Sequence, residues 1–271
     1  MSVSSFSINA KKKSDLYDFE FSFYTLVNDK SEYSELLKSC EKAGFNDKNS
    51  EFGYLNNSKS NVFDGYKGLN KAIHMSRGEY IILIHQDVRL VFDGLKILKS
   101  KIEEISKIDP SWAVLGNAGG NFDLGEKFIR ISDPANKDLK FGKLPAKVYS
   151  LDENLLIIKS SSLLAFSEDM DGFHFYGTDI CQQAMFRGYS CYVIDFHLLH
   201  KSSGKKDLTY FKSKENFIEN YQRKLSPRFL RTTTTRVFLS SNKLFNFLFN
   251  QKDILFFLRK SKIYKLFSLR K

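Results

Sequence analysis

His85, Gln86 and Asp87 form a short polar group directly after four apolar residues, in the stretch EYIILIHQDVRL (79–90). A carboxylate at the end of an interior strand is costly to remove from water unless it is paired or bound to a cation. His85 stands two positions before Asp87, so both side chains share one face while the strand continues. Oxygen ligands suit a hard divalent cation, and Mn²⁺ also accepts an imidazole. The alternative, an Asp that caps a turn beside a His satisfied by the backbone, explains the motif equally well.

Asp179 is the second residue whose position suggests chemistry. It follows a Gly-Thr pair at the start of a predicted helix over 176–189, where the positive end of the helix dipole favours the ionised carboxylate. An ionised Asp in an open crevice can accept a proton from a sugar hydroxyl. The pattern alone favours the simpler interpretation, an ordinary first-turn acid.

Two further groups of residues carry chemistry only in context. His200, after YVIDFHLL, is either a metal ligand that arrives from far along the chain or a His on a surface loop. Asp152 and Glu153 precede an apolar strand, and we interpret them as its solvated start.

The elements that position these residues alternate between strands and helices. Polar residues end three predicted strands: Asn28-Asp29 after 19–29, Asn56-Asn57 after 50–57, and His85-Gln86-Asp87 after 79–87. Helices are predicted between them at 31–44 and 61–78. This alternation is typical of a parallel sheet with crossover helices, and ligands of such sheets bind beyond the carboxyl ends of the strands. We therefore expect the three polar groups to converge on one crevice.

The remaining elements continue an α/β pattern. A helix is predicted over 93–108, strands over 112–120, 153–166 and 190–204, and a loop-rich segment over 121–150.

The charge of the chain is concentrated at its end. The net charge is +11, yet residues 201–271 hold 18 Lys/Arg against 4 Asp/Glu. Such a segment binds an anionic surface, either a membrane or a nucleic acid. Within it, residues 243–271 alternate Phe and Leu with Lys and Arg at helical spacing, which suits a helix lying in a membrane interface. The alternative is a helical hairpin that packs on the preceding domain or on the partner copy of a homodimer.

Composition excludes several classes of protein. With 42% hydrophobic residues in 271, a globular core is expected. Three Cys without a CxxC pair imply no disulfide framework, and no apolar run reaches the ~18 residues of a spanning helix. The start of the chain lacks an apolar signal core. A cytoplasmic protein, peripheral at the inner membrane, is expected.

A basic nucleic-acid-binding protein is the competing class, but the chain has no RNA- or DNA-binding signature, so no nucleic acid partner is expected.

Taken together, these motifs resemble the inverting nucleotide-sugar glycosyltransferases of the GT-A fold, in the broad family 2. The resemblance covers roughly residues 20–205. It follows, in order, YTLVND, NNSKSNVFDGYKGLNKAIHMSRGEYIILIHQDV, GFHFYGTDICQQAMFRGY and His200 before Ser-Ser-Gly. His85 stands where the family usually has the first Asp of its Asp-x-Asp motif, so one hard oxygen ligand is missing.

The resemblance implies a role for each matched residue. Asp87 and His200 would bind a divalent cation, Mn²⁺ or Mg²⁺, that bridges the diphosphate of a nucleotide-sugar donor, a UDP-sugar above all. Asp179 would be the general base. The donor would be contacted by Asn28, Asp29, Asn57, Asn70 and His85.

The function that the resemblance implies is sugar transfer to a glycan or lipid-linked acceptor in bacterial surface polysaccharide synthesis, either capsule or lipopolysaccharide. A catalytically degenerate GT-A scaffold is the alternative. The expected organisation is a flexible segment 1–18, a GT-A domain 19–205, and a basic, aromatic-rich helical extension 206–271.

Overall fold

The computed structural model describes residues 16–122, 125–202 and 207–261. The chain divides into two compact units, Met1–Tyr210 and Phe211–Lys271. Most of the predicted N-terminal segment 1–18 lies outside the described residues, as does the end of the predicted extension, 262–271.

The first half of unit one alternates strands with helices. Its elements are β1 (Phe19–Val27), α1 (Lys30–Lys42), β2 (Ser50–Asn56), α2 (Lys67–Met75), β3 (Gly78–Ile84), β4 (Val88–Arg89) and α3 (Leu95–Ile108).

The second half of unit one has shorter strands. They are β5 (Trp112–Gly116), β6 (Ala118–Gly120), β7 (Lys127–Ser132), β8 (Leu139–Phe141), β9 (Ala146–Val148), β10 (Ser150–Leu151) and β11 (Leu155–Lys159), followed by a 3₁₀ turn (Ser160–Ser162), α4 (Tyr176–Phe186), β12 (Ser190–Val193) and β13 (Leu198–His200).

Seven strands form the central sheet, in the order β2-β1-β3-β11-β5-β12-β9. The pairs β1–β2, β1–β3 and β5–β12 are parallel, whereas β11 and β9 run against their neighbours. Alternate residues of β3 point to opposite faces of this sheet. Tyr80, Ile82 and Ile84 join a core with Leu36 of α1 and Ile102 of α3. The buried Leu69 of α2 and Ile180 of α4 are not in that core. The predicted α/β class, a mainly parallel sheet flanked by helices, is confirmed.

A second sheet, in the order β10-β6-β7-β13-β4, brings a distant part of the chain beside the end of β3. In the antiparallel pair of β13 and β4, His200 lies opposite Val88. The backbone N–H of Lys201 also donates to the carbonyl of Asp87, over 3.0 Å. This pairing places His200 next to Asp87.

The predicted loop-rich segment over 121–150 also contains short strands. The segment contains β7, β8 and β9, whose lengths are three to six residues. Residues of β7 and β8 are largely exposed or half-buried, so their side chains show no clear alternation of apolar and polar types. Hydrogen bonding to neighbouring strands, rather than burial, defines these strands.

Two other predicted elements are shorter than expected. The helix predicted over 61–78 begins at Lys67, because the carboxylate of Asp64 accepts the N–H groups of Tyr66 and Gly68 and holds a turn ahead of it. The strand predicted over 79–87 ends at Ile84, because the N–H of Val88 donates to the carbonyl of His85 and closes a turn.

Beyond Tyr210 the chain forms α5 (Leu208–Leu225, which begins in unit one), the hairpin of β14 (Arg228–Arg231) and β15 (Arg236–Leu239), α6 (Lys243–Phe249) and α7 (Lys252–Ser261). Phe238 is buried against Phe229 and Phe249, and the Asn250 side chain pairs with the Phe238 backbone. Among the described residues, every helix is too short or too polar to cross a membrane.

Candidate metal site at the carboxyl edge of the sheet

His85, Asp87 and His200 form a cluster of three potential ligands. One donor atom of each lies within 4.8 Å of the donor atoms of the other two. Nε2 of His200 is 3.3 Å from Oδ1 of Asp87, and the two imidazole centroids are 5.5 Å apart. The backbone of His85 is also fixed, because its N–H donates to the carbonyl oxygen of Asn154 over 3.1 Å. The cluster therefore rests on β3, the turn after it, and β13.

The three groups perturb each other electrostatically. Burial alone would raise the pKa of Asp87, but its hydrogen bond and ion pair with His200 hold that pKa well below its usual value. Burial alone would lower the pKa of His200, but Asp87 raises it on balance. Burial and the nearby His200 both lower the pKa of His85. The cluster thus holds an ionised carboxylate, a histidine that favours its charged form and a histidine that favours its neutral form.

The donor set fits a divalent cation. Carboxylate oxygens suit Mg²⁺ and Mn²⁺, whereas imidazole nitrogens suit transition metals and not Mg²⁺. Two imidazoles and one carboxylate within 4.8 Å therefore match a first-row transition metal such as Mn²⁺ better than Mg²⁺.

Gln86 joins the ends of β3 and β1. Its Oε1 accepts the N–H groups of Asn28 and Asp29, each over 3.0 Å, and its Nε2 donates to Oδ1 of Asn28. The Asp29 carboxylate caps α1 by accepting the N–H of Ser31 over 2.8 Å. Asn28 and Asp29 are exposed, so the structure places two of the predicted donor-contacting residues on the same edge as the cluster.

Asn57 and Asn70 have side chains that are occupied elsewhere. The Asn57 amide, only 6% exposed, exchanges two hydrogen bonds with the backbone of Phe63. The Asn70 amide does the same with the backbone of Phe166 and also donates to Glu168. Asn70 lines a groove of about 1160 Å³ over α2 and β11, which none of the three cluster residues lines. The role of Asn57 and Asn70 as contacts to the nucleotide-sugar donor stays a prediction, and the hydrogen bonds of their side chains give it no support.

Asp179 is fully buried in the first turn of α4. Its Oδ2 accepts the N–H of Ser167 over 2.8 Å, and its Oδ1 accepts the Ser167 hydroxyl over 2.5 Å. In this arrangement the carboxylate ties α4 to the loop that follows the 3₁₀ turn. Its role as a base stays a prediction.

Sequence reasoning missed three residues around His85. The hydroxyl of Tyr176 lies 2.9 Å from Nε2 of His85. The charge of Asp152, an exposed residue, acts to raise the pKa of both His85 and His200, although burial and His200 keep the pKa of His85 lowered. Burial and the charge of Asp152 raise the pKa of Glu153 to about 8. Only the acidic pair Asp152-Glu153 before an apolar strand signalled these positions.

Close packing holds Glu153 at the amino end of α4. The backbone N–H groups of Phe175 and Gly177 act to lower the pKa of Glu153, but burial outweighs them. A Cβ at Gly177 would lie 2.3 Å from the carbonyl oxygen of Leu151, so only glycine lets the helix approach this strand.

The fold and the cluster define an α/β protein with a candidate metal site at the carboxyl edge of its sheet. No protein-family model matches the chain. The chain is 36% identical over 224 residues to the protein named ATP synthase subunits region ORF 6 of Fuscovulum blasticum, covering 81% of this chain and 90% of that protein. The chain therefore belongs to the family of the Fuscovulum ORF 6 protein. That name states no reaction.

Solved structures show weaker likenesses. TarS of S. aureus has a TM-score of 0.49 at 14% identity, covering 75% of this chain and 40% of TarS. A TarS structure in complex with UDP-GlcNAc gives 0.47 at 15% identity, covering 70% and 61%. A mutant of Drosophila β-1,4-galactosyltransferase 7, in complex with manganese, UDP-Gal and xylobiose, gives 0.40 at 9%, covering 72% and 79%. The chain spans less than two thirds of TarS, and all three scores lie below 0.5, so function must be inferred from the site.

Proposed function

We propose that this protein is an inverting GT-A glycosyltransferase that transfers a sugar from a UDP-sugar to a glycan or lipid-linked acceptor in bacterial surface polysaccharide synthesis. The observation that carries the proposal is the cluster of His85, Asp87 and His200 at the carboxyl edge of a mainly parallel sheet. That edge is where α/β sheets bind their ligands. The order of the motifs that resemble family 2 supports the same assignment.

In this proposal Asp87 and His200 hold a divalent cation, with His85 beside them. A bound cation would neutralise the charge that develops on the leaving diphosphate. Asn28 and Asp29, fixed by Gln86, lie on the same edge and would contact the nucleotide. Since the donor set contains two imidazoles, Mn²⁺ fits it better than Mg²⁺ does.

Direct displacement at the anomeric carbon also needs a base for the acceptor hydroxyl. The resemblance assigns this role to Asp179. For Asp179 to act, its bonds to Ser167 must open when the acceptor binds. Asp152 is a second candidate for the base, because its carboxylate is exposed and acts on both histidines of the cluster.

The second unit is proposed to hold the enzyme on an anionic membrane surface, the inner leaflet. Leu244 and Phe247 of α6 expose 60% and 65% of their surface, and Phe257 of α7 exposes 63%. Lys243 and Lys252 begin these two helices. Apolar side chains that insert between lipids, flanked by cations that face anionic headgroups, bind such a surface.

A transfer assay tests the proposed function. The full chain is incubated with Mn²⁺, a panel of UDP-sugars and lipid-linked or free glycan acceptors, and release of UDP and glycosylated product are both measured. We expect product with the opposite anomeric configuration to that of the donor. Binding of a UDP-sugar without turnover on any acceptor would favour a scaffold instead, and absence of both would reject the proposal.

A further inference from the structure

The side chain of Tyr176 is fixed at the end of a buried aromatic group. It is only 3% exposed, and its ring packs edge-on against Tyr66 and Phe166, with centroids 6.4 and 5.9 Å away. The same ring fills the space above Gly65, where a Cβ would approach it to 2.4 Å. The ring cannot turn away, so its hydroxyl must find partners at its present position.

The hydroxyl has two neighbours of different chemistry. Nε2 of His85 is 2.9 Å away, and the backbone carbonyl oxygen of Glu153 is 3.4 Å away. A carbonyl oxygen only accepts, whereas a neutral imidazole nitrogen donates or accepts according to its tautomer. Both contacts are hydrogen bonds only if the Tyr176 O–H donates to Glu153 and the phenol oxygen accepts the Nε2–H of His85.

We infer that Tyr176 is a positioning residue that holds His85 as its Nε2–H tautomer, so that Nδ1 is the ring nitrogen whose lone pair remains for a cation. In the other tautomer the hydroxyl would donate to Nε2, and Nδ1 would carry the proton. Neither nitrogen would then have a lone pair free for a metal. Histidines that bind metals commonly donate the opposite N–H to a fixed acceptor, which sets their tautomer and orientation. The link to a cation rests on the proposed function, whereas the tautomer itself does not.

The chain offers a matched control in Tyr66. This residue is fully buried in the same aromatic group, and its hydroxyl donates to the carbonyl oxygen of His174 over 2.8 Å. Tyr66→Phe removes a buried hydroxyl and its hydrogen bond to His174, whereas Tyr176→Phe removes the contacts of its hydroxyl to His85 and to Glu153. Tyr66→Phe leaves the partner of His85 in place. The control therefore separates the general cost of losing a buried hydroxyl from the loss of the partner of His85.

The first experiment is ¹⁵N NMR of the histidine rings in the metal-free full chain at neutral pH, where protonated and lone-pair nitrogens have widely separated shifts. His85→Gln assigns the signals. We expect Nε2 of His85 to be the protonated nitrogen in the unmodified protein and in Tyr66→Phe, and a mixture of tautomers in Tyr176→Phe. A protonated Nδ1 in the unmodified protein overturns the inference.

The second experiment is titration with Mn²⁺ alone, followed by the electron paramagnetic resonance signal of the free ion. Loss of an outer partner of a metal-binding histidine lowers affinity ~10–100-fold. We expect such a loss in Tyr176→Phe and unchanged affinity in Tyr66→Phe. Equal affinities in the two variants overturn the inference. If the unmodified protein binds no Mn²⁺, the proposed function fails, and the NMR result decides the tautomer by itself.

Discussion

Nε2 of His200 lies 3.3 Å from Oδ1 of Asp87, although β3 and β13 stand far apart in the sequence. The contact exists because β13 pairs with β4, directly after Asp87. Without a cation the two groups form an ion pair, in which each favours the charged form of the other. Neither side chain is needed to hold β13 beside β4, because the backbone hydrogen bonds between these strands already do so. A cation would replace this ion pair with two ligand bonds.

Asp87→Asn should remove Mn²⁺ binding and leave the fold intact. The substitution keeps the size of the side chain but removes the only carboxylate among the three clustered groups. We expect affinity to fall by more than the ~100-fold that bounds loss of an outer partner. Mn²⁺ titration measures this, with Asp47→Asn, an exposed turn residue, as the control. Unchanged affinity in Asp87→Asn would remove Asp87 from the site.

Three substitutions together identify the residue that takes the proton of the acceptor hydroxyl: Asp179→Asn, Ser167→Ala and Asp152→Asn. If Asp179 serves only to bind Ser167, both Asp179→Asn and Ser167→Ala lose about 1–3 kcal/mol of stability, because each leaves buried polar atoms unpaired. Both should then retain turnover at a temperature where they are folded. If Asp179 is the base, only Asp179→Asn loses turnover.

The same turnover assay shows whether Asp152 is the base. We expect Asp152→Asn to lose turnover if Asp152 takes the proton. Stability should change little, because Asp152 is exposed and the Asn oxygen can still accept the two N–H groups of Asn154 that Oδ1 of Asp152 accepts. Chemical denaturation gives the free energy of unfolding, and product formation gives kcat. Full turnover in both Asp152→Asn and Asp179→Asn would contradict both assignments.

Glu153→Gln should change how stability depends on pH. The folded pKa of Glu153, about 8, lies above its ordinary value of 4.5. Between these pH values the folded chain keeps a proton that the unfolded chain releases, so stability falls as pH rises through this window. Glu153→Gln removes this slope, and the variant should be more stable than the unmodified protein at pH ~8 and similar at pH ~4.5.

Urea denaturation across that window measures the effect. Glu41→Gln, at an exposed position of α1, serves as the control and should follow the unmodified protein at each pH. Parallel stability curves for Glu153→Gln and the unmodified protein would show that Glu153 titrates normally.

Leu244→Ser with Phe247→Ser should weaken attachment to membranes. These two side chains present the largest exposed apolar surface of α6. We expect the full chain to float with vesicles that contain anionic lipid, and the double variant to float several-fold less. Val62→Ser with Ile108→Ser, which removes two other exposed apolar side chains, is the control. Equal flotation of the two double variants would reject attachment through α6.

The elements with continuous buried runs could be predicted from sequence. β1, whose five consecutive residues 21–25 are buried, lies within two residues of its expected bounds. β2 also does, because it ends at the polar pair Asn56-Asn57. β7 to β9 could not, since short, partly exposed strands are defined by their neighbours. Position at a strand end also does not reveal what a side chain contacts. Asn28 meets Gln86 on the open edge, whereas Asn57 turns inward to the Phe63 backbone.

The site shows the same division. Asp87 is visible as a carboxylate after a buried strand, but its proximity to His200 depends on a pairing of short strands that no local pattern specifies. Tyr176 acts on His85 from the start of α4, and Asp152 acts on it from the loop before β11. Their effect depends on tertiary packing, so the sequence marked Asp152 only as an acid before an apolar strand and gave no sign of a role beside the cluster.

Isothermal titration of the full chain with UDP, with and without Mn²⁺, asks whether the cluster binds a diphosphate through a cation. We expect Mn²⁺ to tighten UDP binding at least tenfold in the unmodified protein and to have no effect in Asp87→Asn. Equal UDP affinity with and without Mn²⁺, or the same Mn²⁺ effect in Asp87→Asn, would contradict this expectation.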